Sequence, residues 1–206
     1  MTVAHAQPQA LVAWTQSTWT NLRTGSNFIA PLGVSGDSMT FLGVDDQTLR
    51  PATAYSYDNG VTFSNWQSID SSGNGGFDGN IAASGGRVYL LWDDVVRTTS
   101  YWRRSLNSGA TWDILHSHLT RFWQSGFASG LTAVLVDGNT NDQHHEVRAL
   151  LSTDGGDTWQ TNLVDSAYIF VEDNGIGLTQ SSVLLVGLQN WTHIDIRRKT
   201  IQLERG

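Results

Sequence analysis

The chain has no cysteine, only three prolines, a single lysine (Lys199) and three glutamates (Glu146, Glu172 and Glu204) among 206 residues. Without cysteine there is no disulfide, no thiolate nucleophile and no Cys-based zinc or iron–sulfur site. The scarcity of Lys and Glu removes the residues that usually cover the solvent face of helices, which argues against a helical protein. Cations are scarce too: Lys and Arg total 12 against 19 Asp and Glu, for a formal net charge of −7. A nucleic-acid partner, which needs clustered positive charge, is therefore not expected. No apolar run nears the roughly 18 residues of a membrane span; runs such as Val183–Val186 are far shorter. Met1–Gln7 has neither a basic start nor an apolar stretch, so a conventional signal peptide is not expected.

What is plentiful is glycine (21) and tryptophan (9), with 39% hydrophobic residues against 15% charged ones. This is the composition of a folded domain rich in tight turns, and the length suits one domain.

A period of nearly fifty residues runs through the chain. Ser56–Phe63, Ser105–Trp112 and Ser152–Trp159 share one eight-residue pattern, with closing aromatics 49 and 47 residues apart. A partial copy, Ser17-Thr18-Trp19, lies 44 residues before Phe63. A second element keeps the same register. Leu32–Ser35, Ile81–Ser84, Phe127–Ser129 and Ile176–Thr179 each place a large apolar residue before small ones. Each precedes a β-rich run: Met39–Leu42, Val88–Trp92, Leu131–Val136 and Val183–Val186. Repeats of this length indicate propeller blades, each a four-stranded antiparallel sheet that cannot bury its own faces alone. The small-residue run suits an innermost strand at a crowded axis, and the apolar run a second strand covered on both faces.

The expected fold is therefore all-β, a single propeller domain of about four blades. Their spans are roughly 25–70, 71–118, 119–165, and 166–206 together with 11–24. Trp19-Thr20-Asn21-Leu22 matches the stretch within Trp159–Leu163 that follows the third octapeptide. An N-terminal strand would thus complete the last blade and remove an exposed edge. The alternative is an open four-repeat arc that pairs with a second copy into a larger ring.

The octapeptides resemble the Asp-box, or bacterial neuraminidase repeat, of sialidase-like β-propellers. Residues 152–159 meet its full Ser-x-Asp-x-Gly-x-Thr-Trp pattern. The first copy ends in Phe63, and the second has Asn107 in place of the acid. Read as turns, Ser56, Asp58, Gly60 and Phe63, Ser105, Asn107, Gly109 and Trp112, and Ser152, Asp154, Gly156 and Trp159 are structural residues. The acid or amide accepts backbone N–H bonds, the glycine permits positive φ, and the aromatic packs on the blade.

The loops between second and third strands then lie on the opposite face, where function in such folds resides. They carry Asp45, Asp93, Asp94, Asp137, Asn190, Trp191 and His193. The last loop departs from the acidic pattern of the others, so Trp191, His193, Asn190, Asp93, Asp94 and Asp45 are the candidate ligand-binding residues. Acids and amides beside exposed aromatics suit sugar recognition.

The resemblance also implies a test for catalysis. Sialidases clamp a carboxylate with three arginines and use an acidic residue and a Tyr–Glu pair. Arg87, Arg97 and Arg121 are the cations nearest the expected face. The family's opening Arg-Ile-Pro is matched only by Ile29-Ala30-Pro31, without the arginine. The expected function is accordingly a non-enzymatic binding or structural module for a glycan or protein partner, with sialidase-like or other glycoside hydrolysis as the alternative. His116 with His118, and His144-His145-Glu146, lack recognised metal spacing, so neither metal nor cofactor is expected. A Cys-free, Lys-poor propeller fits a virion surface, such as a phage decoration or receptor-binding component, or an extracellular setting, alone or within a larger assembly.

Overall fold

The computed structural model describes residues 32–44, 50–70, 76–94, 99–119, 121–139, 147–165, 175–178, 182–189 and 193–200. Among them there is no helix, and the strands form four antiparallel sheets. Sheet I contains β1 (Leu32–Ser35), β2 (Ser38–Val44), β3 (Pro51–Ser56) and β4 (Gln67–Ser68). Sheet II contains β5 (Gly76–Ser84), β6 (Arg87–Asp94), β7 (Thr99–Ser105) and β8 (His116–Leu119). Sheet III contains β9 (Arg121–Ser129), β10 (Thr132–Asn139), β11 (Val147–Ser152) and β12 (Gln160–Asp165). Sheet IV contains β13 (Gly175–Leu178), β14 (Ser182–Gln189) and β15 (His193–Thr200). The expected fourth strand of this last sheet, residues 11–24, lies outside the described residues.

Register makes the sheets equivalent. Val34–Met39–Ser56, Ala83–Val88–Ser105 and Ala128–Ala133–Ser152 are cross-strand rows at the same level of sheets I, II and III. Strand alternation sends successive side chains to opposite faces. In β6, Val88, Leu90 and Trp92 turn towards Leu42 and Ile69 of sheet I. Tyr89 and Leu91 turn towards Ala133, Leu135 and Leu150 of sheet III. The second strand is thus covered on both sides, which is why its run is continuously apolar.

Small residues permit the inner strands to approach. A Cβ on Gly33 would meet the Ile81 side chain at 3.0 Å, and one on Gly126 would meet Leu91 Cδ1 at 2.9 Å. Neighbouring sheets are also bonded near the axis: Gly85 N–H donates to Ser35 Oγ (2.6 Å) and Gly130 N–H to Ser84 Oγ (2.8 Å).

Candidate functional site

The two ends of the sheets have different chemistry. At one end lie the three octapeptide turns, with equivalent internal bonding. Ser56 Oγ donates to Asp58 Oδ1 (2.7 Å) and accepts the Gly60 N–H (2.9 Å). Asp58 Oδ1 accepts the Thr62 N–H (2.9 Å), and Thr62 Oγ1 donates to Asp58 Oδ2 (2.6 Å). Ser152, Asp154, Gly156 and Thr158 repeat this arrangement. Where Asn107 replaces the acid, its Oδ1 still accepts from Ser105 Oγ and the Thr111 N–H, and its Nδ2 donates to Thr111 Oγ1. The bonds from Thr62 hold the Asp58 pKa down at about 2, and those from Thr158 lower that of Asp154 further.

Each turn needs two consecutive residues in the left-handed region, not glycine alone. The residue before each expected glycine also has positive φ: Asn59 (56°), Ser108 (51°) and Gly155 (77°). That residue's N–H donates to the hairpin between the first two strands of its own sheet, at Asp37, Gly86 and Leu131 oxygens (2.9, 2.7 and 2.7 Å).

The turns also join neighbouring sheets. Thr40 Oγ1 of sheet I donates to the Ser108 oxygen (2.9 Å), and Tyr57 Oη to the Asn107 oxygen (2.7 Å). Arg104 of sheet II donates to Asp113 (2.9 Å), to the Gly155 oxygen (3.0 Å) and to Asp157 (2.7 Å). Burial opposes its charge, but Asp157 and Asp113 outweigh that and keep its pKa above the ordinary value. Beside it, burial pushes the Tyr89 hydroxyl up to about 12 against the pull of Arg104 and Arg87. The closing aromatics do more than pack on their own sheets. Trp159 reaches Tyr89 (5.8 Å) and Trp102 (5.2 Å) of sheet II, and Phe63 meets Phe41 of sheet I edge-on (5.3 Å).

Arg87 belongs to this end as well. It starts β6 and lies against Gly155, whose added Cβ would meet its Nε at 2.5 Å. Its expected approach to the other face is therefore corrected: a residue opening a second strand sits at the turn end.

At the opposite end the strands finish on acids. Asp93 and Asp94 were expected on a loop, but they are the last two residues of β6, paired with Ser100 and Gly76, and are 2% and 3% exposed. The ladder continues past Trp92 because backbone pairing does not depend on side-chain polarity. Asp137 is likewise within β10, opposite Arg148, and buried. By alternation, Asp93 shares the face of Leu91 and Asp137 that of Leu135, the two faces that meet between sheets II and III. Ser100 and Arg148 lie on those same faces. Asp70 is buried at the corresponding end of sheet I. Arg50 precedes β3 there, and Arg121 opens β9. Arg50 and Arg148 carry no motif in the sequence; their place just before and just inside a third strand is the signal that brings them to this end.

His116 stacks on Trp102 with centroids 3.9 Å apart and planes at 8°. Among the described residues no group of three or more His, Cys, Asp or Glu is placed to hold a metal. His193 opens β15, its Cα opposite Gln189. Asp45, Asn190, Trp191, Arg97, His144, His145 and Glu146 lie outside the described residues.

No known protein family matches the chain by sequence, and no curated protein does. Solved structures of similar fold include a Hadza microbial sialidase, with TM-score 0.57 and 16% identity over 83% of this chain and 44% of that one. A Trypanosoma rangeli sialidase in complex with the inhibitor DANA has TM-score 0.55 and 12% identity over 82% of this chain and 36% of that one. A subtype N11 neuraminidase-like protein (H18N11) has TM-score 0.51 and 13% identity over 81% of this chain and 51% of that one. The fold is a sialidase-like β-propeller. The chain spans less than half the length of each of these two sialidases.

Proposed function

We propose that the protein is a non-enzymatic glycan-recognition module that binds through the blade ends remote from the octapeptide turns. The observation that carries this reading is the division of chemistry between the two ends. At the turn end, Arg104 and the turn acids are engaged in bonds within and between sheets. At the other end, the frame places Asp93, Asp94 and Asp137, buried and with partners of their own, at the base of the second-to-third-strand loops, where Asn190, Trp191 and His193 also fall in sequence. Several proteins of the same fold are named sialidases, which favours a sugar as the ligand class. In this reading Trp191 stacks on a sugar face while Asn190 and His193 bond its hydroxyls, and the buried Asp93, Asp94 and Asp137 support the loop bases beneath. Display on a virion or another extracellular surface is compatible with it.

The test is an array of neutral and sialylated glycans probed with the chain. Saturable binding that weakens about tenfold or more in Trp191→Ala, without a change in melting temperature, supports the module. Absence of any glycan binding would leave a protein-binding scaffold.

One observation favours hydrolysis as a second reading. Arg50, Arg121 and Arg148 are brought to the same end as Asp93 and Asp137, the residue types a carboxylate clamp and an acid catalyst require. Turnover of a fluorogenic sialoside that is lost in Arg148→Ala would establish this reading over the first.

A further inference from the structure

Of the three octapeptides, only the first sets a carboxamide directly before its glycine: Asp58-Asn59-Gly60, against Asn107-Ser108-Gly109 and Asp154-Gly155-Gly156. An asparagine followed by glycine is open to attack on its own side chain, because the glycine nitrogen carries no hindering substituent beside it. The Asn59 side chain is exposed, yet the local backbone blocks this attack. Asn59 (φ 56°) and Gly60 (φ 80°) are the central residues of a turn closed by the Val61 N–H donating to the Asp58 oxygen (3.2 Å). Two positive φ values make the turn type I′, in which ψ of the first central residue is about 30°. That value swings the Gly60 nitrogen away from Asn59 Cβ about the Cα–C bond, whereas closing a five-membered ring needs the two nearly eclipsed. The Gly60 N–H is also engaged, donating to Ser56 Oγ (2.9 Å) in a buried bond. Ring closure therefore requires the Asn59–Gly60 peptide to rotate, which breaks the bond to Ser56 and the closure to Asp58 together. In the second copy the asparagine precedes serine, and its amide is held by Ser105 and Thr111.

We infer that Asn59 is a latent modification site, which deamidates only while the first octapeptide turn is open and whose isoaspartate product keeps that turn from reclosing. In the open turn the Gly60 nitrogen gives its proton to solvent base and bonds to Asn59 Cγ. The Cγ–Nδ2 bond breaks, ammonia leaves, and a succinimide remains. Water then opens the ring at one of its two carbonyls. Cleavage of the bond from Gly60 N to Cγ gives aspartate on an unaltered main chain. Cleavage of the bond to the Asn59 carbonyl carbon gives isoaspartate, whose main chain runs through Cβ and Cγ and is one carbon longer. In the closed turn the Asn59 N–H donates to the Asp37 oxygen (2.9 Å) while the Gly60 N–H donates to Ser56 Oγ. The extra carbon sets these two donors apart, so both bonds no longer fit at once, and the new carboxylate stands next to Asp58. The same turn reaches sheet II, where Tyr57 Oη donates to the Asn107 oxygen (2.7 Å). Conversion therefore loosens the contact between sheets I and II at the turn end.

The experiment follows the 206-residue chain through incubation at neutral pH, folded and in concentrated guanidinium chloride. Fragment-ion mass spectrometry places the change from amide to acid at Asn59 and separates it from Asn74, which also precedes a glycine. Local opening is rare in a folded sheet, so conversion of Asn59 should be about tenfold or more slower in the folded protein than in denaturant. Ser56→Ala, which releases the Gly60 N–H, should speed conversion in the folded protein about fivefold or more. Ser152→Ala removes the equivalent bond of the third turn and should leave the rate at Asn59 unchanged. The isoaspartate form, separated by ion exchange, should melt below the unmodified protein. Equal rates in folded and denatured chains overturn the inference. So does equal acceleration by the two serine variants, which would make global unfolding the gate, and so does an isoaspartate form that melts with the unmodified protein. The comparison with denaturant needs no variant, so it decides the matter even if Ser56→Ala fails to fold. These readouts are independent of glycan binding, so the modification and the proposed function stand or fall separately.

Discussion

In each octapeptide the serine hydroxyl accepts two backbone N–H groups and the acid or amide accepts a third, while the threonine hydroxyl bonds that acid or amide side chain; the serine matters most for stability. Ser152 is 1% exposed, and its hydroxyl accepts the buried Gly156 N–H at 2.8 Å. Ser152→Ala should strand that donor and cost roughly 1–3 kcal/mol, measured as a shift in the urea midpoint at constant slope. The acid contributes a pH dependence that the amide copy lacks. Asp58 has its pKa lowered from 3.8 to about 2, mainly by Thr62, and Asp154 is lowered by Thr158. A depressed carboxylate stabilises the fold fully above its unfolded pKa, and this contribution is lost as pH falls through the folded value. Stability should therefore decline below pH about 4 and keep falling towards pH about 2. The slope of melting temperature against pH in this window should be shallower in Asp58→Asn with Asp154→Asn, which places the bonding of Asn107 in all three turns. An unchanged slope would mean that these carboxylates do not couple to folding.

At the scale of turns and strands, the sequence pattern located the octapeptides and assigned the glycine its positive φ. It did not reveal the second left-handed residue, because Asn59, Ser108 and Gly155 share no residue type. Nor did it reveal that the turns tie sheet to sheet. Arg104 links sheets II and III at that end: its side chain is 14% exposed, held by Asp113 of its own turn and bonded to the Gly155 oxygen and Asp157 of the sheet III turn. Arg104→Ala should cost about 1.5–3 kcal/mol, the range for hydrogen bonds to a charged group. Arg104→Lys should recover only part of this, because an ammonium cannot reproduce the fork. Equal stability of all three proteins in thermal melts would exclude a structural role for the bridge. Asp93 and Asp94 show the opposite limitation. Their polarity suggests a loop, yet the ladder extends through them and buries them within the strand.

At the scale of the whole molecule, stability arises between sheets. Leu135 is fully buried in the core shared by sheets II and III, and Leu135→Ala should cost about 2–5 kcal/mol. Since no blade buries its faces alone, the loss should appear as one cooperative shift in chemical unfolding. A separate early transition would show that the sheets unfold independently. Trp191→Ala should do the reverse, leaving the unfolding curve in place while weakening glycan binding by about 1–3 kcal/mol.

The sequence by itself determined the repeat, the β class, the antiparallel four-stranded unit, and the place of inner and second strands. These follow from interactions within about fifty residues: turn bonding closed inside eight residues, and an apolar run that only a doubly covered strand can carry. Tertiary structure decided which strand-end acids are buried, that Arg87 stands at the turn end, and that Arg50, Arg121 and Arg148 share an end with Asp93 and Asp137. Those outcomes depend on how one sheet is rotated and set against the next. That rotation is a sum of twist, bulge and side-chain contact over residues far apart in the chain, and no local pattern records it.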